Sequence, residues 1–305
     1  MDLTLPENIK KILRDCGVKP SKEMGQNFLA SREVLEKMVD AAALRKDDQV
    51  LEIGPGLGVL TAELAKKVKR VVAVEADRRL VAALGKTMVD YKNVEIIQED
   101  ILKFSISNFQ FSNKFQIQNS KSKILDTGYE IPDTKFQNYE YKIVANLPYQ
   151  ITSAIFRKFL NDEPRPAEII VMVQKEVAER ICAPAGETSL LSLSVQFFGQ
   201  PEIVEIVPRN VFWPEPEVDS AILRVSLIKE TSGANLKKID PEKFFKIAKI
   251  GFSARRKQLH NNLSGGLGTS SEKVKEIFLK FGFNPRIRAQ DLSLDDWIGL
   301  ALVLG

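Results

Sequence analysis

Histidine and cysteine are scarce in this 305-residue sequence, which contains one histidine, His260, and two cysteines, Cys16 and Cys182. Because there is a single imidazole and no G-x-S-x-G motif, Ser-His-Asp and Cys-His catalysis are excluded unless His260 itself is the base. The cysteines form no C-x-x-C pair and lack metal-ligand spacing, so we expect no metal site. Sparing use of cysteine is typical of a reducing compartment, and we expect a cytoplasmic protein.

Long apolar runs are also missing, since no stretch approaches the roughly 18 residues of a membrane-spanning helix. The first residues lack the charged and apolar regions of a signal peptide. Apolar residues make up 44% and charged residues 28%, which is ordinary for a soluble globular protein. We expect no membrane partner, and the length allows one large α/β domain with a smaller one appended.

The net charge of +4 is mild but unevenly distributed. Residues 241–305, which read as a small helical bundle, hold 11 Lys and Arg against 6 Asp and Glu, whereas the rest holds 33 against 34. A neutral N-terminal part followed by a basic C-terminal part favours a polyanionic partner. Arg255, Arg256 and Lys257 are the expected phosphate contacts. Solvated surface lysines are the plainer interpretation of the same pattern.

Polar residues follow the ends of successive predicted strands. The first strand runs into GPGLG at 54–58, where glycines permit a tight turn and a close approach to a ligand. Glu75 ends the second strand and is placed to accept ribose hydroxyls. After the third strand, Asp100 can accept from an adenine amine and Ile101 can flank the ring. Because such strand ends meet at one sheet edge, the pattern predicts a nucleoside cofactor, although G-x-G-x-G differs from the dinucleotide motif.

A fourth strand, at 141–145, ends in Asn146, Leu147, Pro148 and Tyr149. Asn146 offers an amide oxygen and two N–H donors, Pro148 stiffens the turn, and Tyr149 offers a flat face for stacking. We interpret this tetrapeptide as a grip that presents the amine of a target adenine to a methyl donor. The alternative is a strand-ending turn with a buried tyrosine, which we would favour if this motif stood alone.

Other segments carry weaker predictions. Residues 25–29 are an irregular loop that either packs or closes over the site as a lid. A single helix is expected to run from about residue 174 through 198. Residues 105–140, rich in Asn, Gln, Ser and Lys, read as a long surface insertion. In the proline-rich loop 208–219, Phe212 or Trp213 is expected to line the base pocket, with a plain core role equally open.

Together these motifs resemble the ribosomal RNA adenine N6-dimethyltransferases of the small-subunit type. The matching pieces are 25–29 (GQNFL), 52–58 (EIGPGLG), Val74 with Glu75, Asp100, 146–149 (NLPY), 211–221 (VFWPEPEVDSA) and 252–257 (FSARRK). They span nearly the whole chain in the family's order. The insertion at 105–140 is longer than such proteins usually carry.

The resemblance implies a class I S-adenosylmethionine-dependent methyltransferase fold, with a Rossmann-like seven-stranded sheet whose last strand is antiparallel. It implies a catalytic domain over 1–230, with a helical prelude at 1–46, and a small all-α RNA-binding domain over 240–305. S-adenosylmethionine is the implied donor, contacted at Gln26, Asn27, Leu29, Gly54, Gly56, Glu75, Asp100 and Asn146. The implied reaction adds two methyls to each of two adjacent adenosines in the 3′-terminal hairpin of small-subunit rRNA, late in subunit assembly.

The residues also suggest how the reaction would run. The N6 lone pair of adenine is delocalised, so acceptors on both N6 hydrogens would favour a more pyramidal, nucleophilic nitrogen. The Asn146 side chain and the backbone carbonyl of Leu147 or Pro148 are the expected acceptors. Tyr149 and Phe212 would hold a flipped base by stacking. No general base is required, because water can deprotonate the strongly acidic product nitrogen.

Several rival functions share part of this sequence pattern. The nearest is a large-subunit rRNA dimethyltransferase that confers antibiotic resistance, against which Leu147 and the loop around Phe212 favour the small-subunit type. A DNA adenine methyltransferase would usually carry a second proline in the tetrapeptide. A dehydrogenase would need a hydride-transfer site, which we do not find. A non-catalytic RNA-binding assembly factor is disfavoured by the intact Asn146 and Glu75. We expect a monomer that acts on the immature small ribosomal subunit.

Overall fold

A computed structural model describes residues 2–21, 24–106, 141–228 and 239–305. Nearly all of the predicted insertion, and nearly all of the residues between the predicted domains, lie outside these ranges. The strands are β1 (Phe28–Leu29), β2 (Gln49–Ile53), β3 (Arg70–Glu75), β4 (Val94–Gln98), β5 (Tyr141–Asn146), β6 (Glu168–Gln174), β7 (Gly199–Val207), β8 (Phe212–Trp213) and β9 (Ser220–Leu227). The helices are α1 (Pro6–Asp15), α2 (Arg32–Ala41), α3 (Val59–Lys67), α4 (Arg78–Thr87), α5 (Thr152–Asn161), α6 (Lys175–Ile181), α7 (Leu190–Gln196), α8 (Pro241–Gly251), α9 (Leu259–Leu267), α10 (Ser271–Lys280) and α11 (Leu294–Leu304).

Seven strands form one sheet in the order β4-β3-β2-β5-β6-β9-β7. The pairs β4-β3, β3-β2, β2-β5 and β5-β6 are parallel, and β9 is antiparallel to both β6 and β7. The predicted seven-stranded sheet with an antiparallel last strand is therefore confirmed. Its order places the ends of β2, β3, β4 and β5 along one edge, where open α/β sheets bind ligands.

The sheet is buried on both faces, as the uninterrupted apolar runs of its central strands require. Leu51 and Ile53 of β2 belong to one hydrophobic cluster, whereas Val50 joins a second cluster with Leu35 of α2 and Leu64 of α3. This alternation follows from the two-residue period of a strand. It also directs the side chain of Glu52 towards the face that α2 and α3 cover.

Two local predictions were wrong. The expected helix over 174–198 is two helices, α6 and α7, because Pro184 and Gly186 interrupt it and Ser189 starts α7 with a capping box to Ser192. Residues 28–29, expected in an irregular loop, form β1 and pair with β8 through Phe28–Trp213 and Leu29–Phe212. The pairing ties the loop before α2 to the loop before β9.

The C-terminal helices pack directly against the sheet domain. Phe197, just after α7, stacks on Phe244 of α8 with ring centroids 4.4 Å apart. Trp297 of α11 is fully buried in the same hydrophobic cluster as Leu51 of β2. The two parts therefore share one core, and the predicted boundary between residues 230 and 240 falls mostly outside the described residues. In the described ranges, no helix has the length and apolar character to cross a membrane.

Candidate active site

The turn after β2 takes a backbone path that favours glycine. Gly54, Gly56 and Gly58 have φ angles of 65°, 60° and 87°, in the left-handed region that side chains disfavour. A Cβ added at Gly56 would lie 3.2 Å from Cε1 of Phe28, so the turn is also closely packed. The turn leads into α3, whose first residue is Val59. Because Gly54 and Gly56 have no Cβ, their main-chain atoms allow close approach by a ligand.

Glu75 ends β3 beside this turn. Its Oε2 accepts from the Gly56 N–H at 3.3 Å, and its Oε1 accepts from the Asp77 N–H at 2.9 Å. Burial raises the pKa of Glu75, although the two backbone bonds oppose that shift. Each oxygen keeps a further acceptor site, and such a carboxyl can accept the paired hydroxyls of a ribose.

Glu52 is a buried acid that the sequence argument did not select as a site residue. It lines the same cavity as Glu75, is 1% exposed, and its Oε2 has no hydrogen-bond partner in the described part of the chain. Burial, together with the nearby Glu75 carboxyl, raises the pKa of Glu52 to about 8. Its position two residues before the glycine turn was the available signal, but its burial depends on α2 and α3.

The end of β4 contributes Asp100 and Ile101. Asp100 is exposed, and its Oδ1 accepts from the Leu102 N–H at 3.0 Å. Ile101 is 5% exposed and belongs to the core, with its side chain at the cavity wall. A carboxylate beside an apolar wall suits an adenine, whose amine donates a hydrogen bond and whose ring is apolar on its faces.

Asn146 is held in a defined orientation at the end of β5. Its Nδ2 donates to the backbone carbonyl of Asn27 at 3.2 Å, and among the described residues none donates to its Oδ1. The Pro148 carbonyl accepts from the Ile151 N–H at 3.2 Å and starts a single turn of 3-10 helix. The Asn146 side chain thus keeps an acceptor for a substrate.

The loop before β1 is tied to the site by Gln26. Its Oε1 accepts from the Ser21 N–H at 2.8 Å and its Nε2 donates to Asp77 at 3.2 Å. Asp77 caps α4, and its hydrogen bond with the Arg79 side chain lowers the pKa of Asp77 to about 2. Sequence reasoning missed Asp77, which lies two residues after Glu75 and had no motif of its own.

One cavity of about 290 Å³ gathers the predicted residues of the strand ends and the preceding loop. Those on its wall are Gln26, Asn27, Leu29, Gly54, Gly56, Glu75, Asp100, Ile101, Asn146, Leu147, Pro148 and Tyr149. The structure therefore brings together every predicted cofactor residue and the whole tetrapeptide. Their roles remain predictions, because the cavity shows their proximity and not their ligand.

Phe212 and the three predicted RNA-binding cations do not lie on the cavity wall. Phe212 is 4% exposed in the hydrophobic core and is not on the cavity wall, so stacking of a base on its ring stays a prediction that requires this side chain to become accessible. The cation loop, which we define as Arg255, Arg256 and Lys257, is exposed between α8 and α9. His260 is buried in α9, with its two ring nitrogens 2.8 Å from Gln258 Oε1 and from Ser271 Oγ.

The sheet order and the acids at its edge define a class I methyltransferase fold. The family model for ribosomal RNA adenine dimethylase matches residues 17–304. The chain is 42% identical to a ribosomal RNA small subunit methyltransferase A of Dehalococcoides mccartyi, over 98% of this chain and 94% of that protein. It is 36% identical to one of Bacillus mycoides, over 99% and 97%.

Two solved structures are also similar. A dimethyladenosine transferase from Plasmodium falciparum gives a TM-score of 0.67 at 25% identity, over 90% of this chain and 96% of that one. The 23S rRNA methyltransferase ErmE gives 0.65 at 26% identity, over 91% and 99%. The chain belongs to the ribosomal RNA adenine dimethylase family. It is an enzyme whose cofactor is S-adenosylmethionine.

Proposed function

We propose that this chain dimethylates N6 of two adjacent adenosines in the 3′-terminal hairpin of small-subunit rRNA, late in assembly of the subunit. One observation carries the chemistry. Asn146 lies on the wall of the cavity that also holds Glu75 and the glycine turn, with its Nδ2 bonded to the Asn27 carbonyl and its Oδ1 accepting from no described residue. The small-subunit assignment is supported by relatives of that name that align over nearly the full length of this chain.

The cavity residues fit S-adenosylmethionine. Glu75 would accept the ribose hydroxyls, and Asp100 would accept from the adenine amine while Ile101 flanks the ring. Gly54 and Gly56 lie on the cavity wall and would let the amino-acid tail pass along the backbone, because glycine has no Cβ. The loop at Gln26, Asn27 and Leu29 closes the other side. When bound, the cofactor supplies an electrophilic methyl group on a sulfonium.

The tetrapeptide prepares the nucleophile. Asn146 Oδ1 accepts one N6 hydrogen of the target adenine. The Leu147 carbonyl is the better candidate for the other, because the Pro148 carbonyl already accepts from Ile151. Two acceptors stabilise the positive charge that develops on N6 as it attacks. Tyr149 stacks on the base and keeps N6 in line with the methyl group.

Proton removal needs no protein base. The product nitrogen is strongly acidic while it carries the extra proton, so water accepts that proton. His260 lies in α9, and burial lowers the pKa of its ring. Its hydrogen bonds to Gln258 and Ser271 assign it a structural role.

The partner in this proposal is the immature small ribosomal subunit in the cytoplasm. The cation loop is exposed at the surface of the basic C-terminal part, which suits contact with RNA phosphates.

Primer extension on rRNA from cells with and without the gene tests the proposal. Loss of the gene should remove the stops at two adjacent adenosines near the 3′ end of small-subunit rRNA, and the gene should restore them. Asn146→Ala should lower kcat by about 100-fold or more while S-adenosylmethionine still binds in calorimetry. If the Asn146→Ala gene restores the stops, the tetrapeptide does not bind the target adenine for catalysis.

A large-subunit target is the second candidate. The fold similarity to a 23S rRNA methyltransferase supports it, although at lower identity than the small-subunit relatives. The same primer extension distinguishes the two, because large-subunit modification would leave the stop in the other rRNA.

A further inference from the structure

The ring of Tyr149 is fixed at its hydroxyl as well as at its backbone. Its Oη lies 2.7 Å from Oγ of Ser220, so either hydroxyl can donate to the other. In the described part of the chain this is the one polar contact of the phenol. The backbone turn after Pro148 positions the Tyr149 Cα, but the tilt of the ring depends on what its far end contacts.

Ser220 is a rigid anchor for this contact. It is the first residue of β9, is fully buried, and pairs with Gln174 of β6 on one side and Val207 of β7 on the other. Because its backbone is held between two strands and its side chain is fully buried, its Oγ has little freedom to move. A fully buried hydroxyl without a partner is also costly, so the burial of Ser220 favours the contact with Tyr149.

We infer that Ser220 is a positioning residue for the target adenine, since it sets the plane of the Tyr149 ring on which the base stacks. The role rests on the proposed function, because it requires a base in the cavity. Stacking depends on ring orientation, and small displacements of a reacting group reduce rates strongly. Burial raises the pKa of Tyr149, as does the nearby Asp219 carboxylate, so the phenol keeps its proton near neutral pH.

The experiment is a double-mutant cycle with Ser220→Ala and Tyr149→Phe. Both changes remove the same hydrogen bond, one from the buried side and one from the cavity side. Methyl transfer is measured on small subunits isolated from cells that lack the enzyme. Each single variant should lower kcat/KM roughly 3- to 30-fold, and the double variant should lower it no further. The Kd for S-adenosylmethionine should not change.

Ser192→Ala is the matched control. Ser192 is also a fully buried serine, but its hydroxyl bonds to Ser189 within the cap of α7. Its loss should lower the Tm and leave kcat/KM near the wild-type value. If Ser220→Ala does not fold, Tyr149→Phe still reports on the bond, and a wild-type kcat/KM for that variant overturns the inference.

Three further results would overturn the role of Ser220 alone. The first is a wild-type kcat/KM for Ser220→Ala, and the second is a pair of effects on kcat/KM that add in the double variant. The third is a loss of S-adenosylmethionine affinity as large as the loss of kcat/KM, because it would indicate general disruption. A wild-type enzyme that transfers no methyl to these subunits would overturn the proposed function and this role with it.

Discussion

Glu52 makes the stability of the protein depend on pH in a direction that can be worked out. Burial raises the pKa of Glu52 to about 8 from an ordinary value of 4.5. Because the folded-state pKa lies above the unfolded one, the folded chain holds the proton more tightly between these two values. The Glu52 contribution to stability is fully present below about pH 4.5 and is lost as the pH rises through about 8.

The size of the effect follows from the same two pKa values. One pKa unit corresponds to about 1.4 kcal/mol. From about pH 5.5 to about pH 7.5 the unfolded carboxyl is already ionised, whereas the folded one mostly keeps its proton. The free energy of unfolding should therefore fall by about 2 to 3 kcal/mol over this range because of Glu52 alone. This is a large part of the 5–15 kcal/mol that is typical of a domain.

Glu52→Gln isolates this contribution, because glutamine has nearly the same shape as the neutral acid and does not titrate. Urea unfolding is measured without cofactor at several pH values, for wild type, Glu52→Gln and the control Glu36→Gln, which changes an exposed carboxyl on α2. The stability of Glu52→Gln relative to wild type should rise by about 2 to 3 kcal/mol between the two pH values. Glu36→Gln should stay within about 0.5 kcal/mol of wild type throughout. Parallel curves for wild type and Glu52→Gln would refute the reasoning.

Two further predictions concern ligand binding. Glu75→Ala should weaken S-adenosylmethionine binding about 10- to 100-fold in calorimetry, since it removes the acceptor for both ribose hydroxyls, whereas Glu36→Ala should not. Unchanged affinity would reject the ribose role. Alanine at all three positions of the cation loop should weaken RNA binding and reduce the slope of log K against log salt by about 2 to 3, with cofactor affinity intact. An unaltered slope would remove the loop from the RNA interface.

The sheet could be predicted from the sequence because its strands are buried apolar runs with clear ends. The strand ends agree with the predicted ones: β2 ends at Ile53, just before the glycine turn, β3 ends at Glu75, and β5 begins at Tyr141. The clear strand ends also identify the polar residues that follow them, and parallel topology brings those residues together. The cavity wall therefore agrees with the residues chosen from sequence, including the loop at Gln26 and Asn27.

The features that could not be predicted from the sequence depend on contacts between distant segments of the chain. The pairing of β1 with β8 joins residues 28–29 to 212–213, and no local pattern signals it. The burial of the Glu52 carboxyl depends on α2 and α3 covering its face of the sheet. The capping role of Asp77 depends on where α4 begins, and its bond to Gln26 spans 51 residues. Each is a tertiary effect that periodicity and residue type do not contain.

Phe212 shows how such contacts change the expected chemistry. The sequence offered two rings for the target base, and the structure separates them: Tyr149 lines the cavity, whereas Phe212 is 4% exposed beside Leu29. Exposing a buried phenylalanine costs about 1.5–3 kcal/mol, and stacking of a base returns about 1–3 kcal/mol. Because the two terms nearly cancel, recruitment of Phe212 adds little net binding. Base binding therefore depends mainly on Tyr149, and the hydroxyl contact that fixes its ring gains importance.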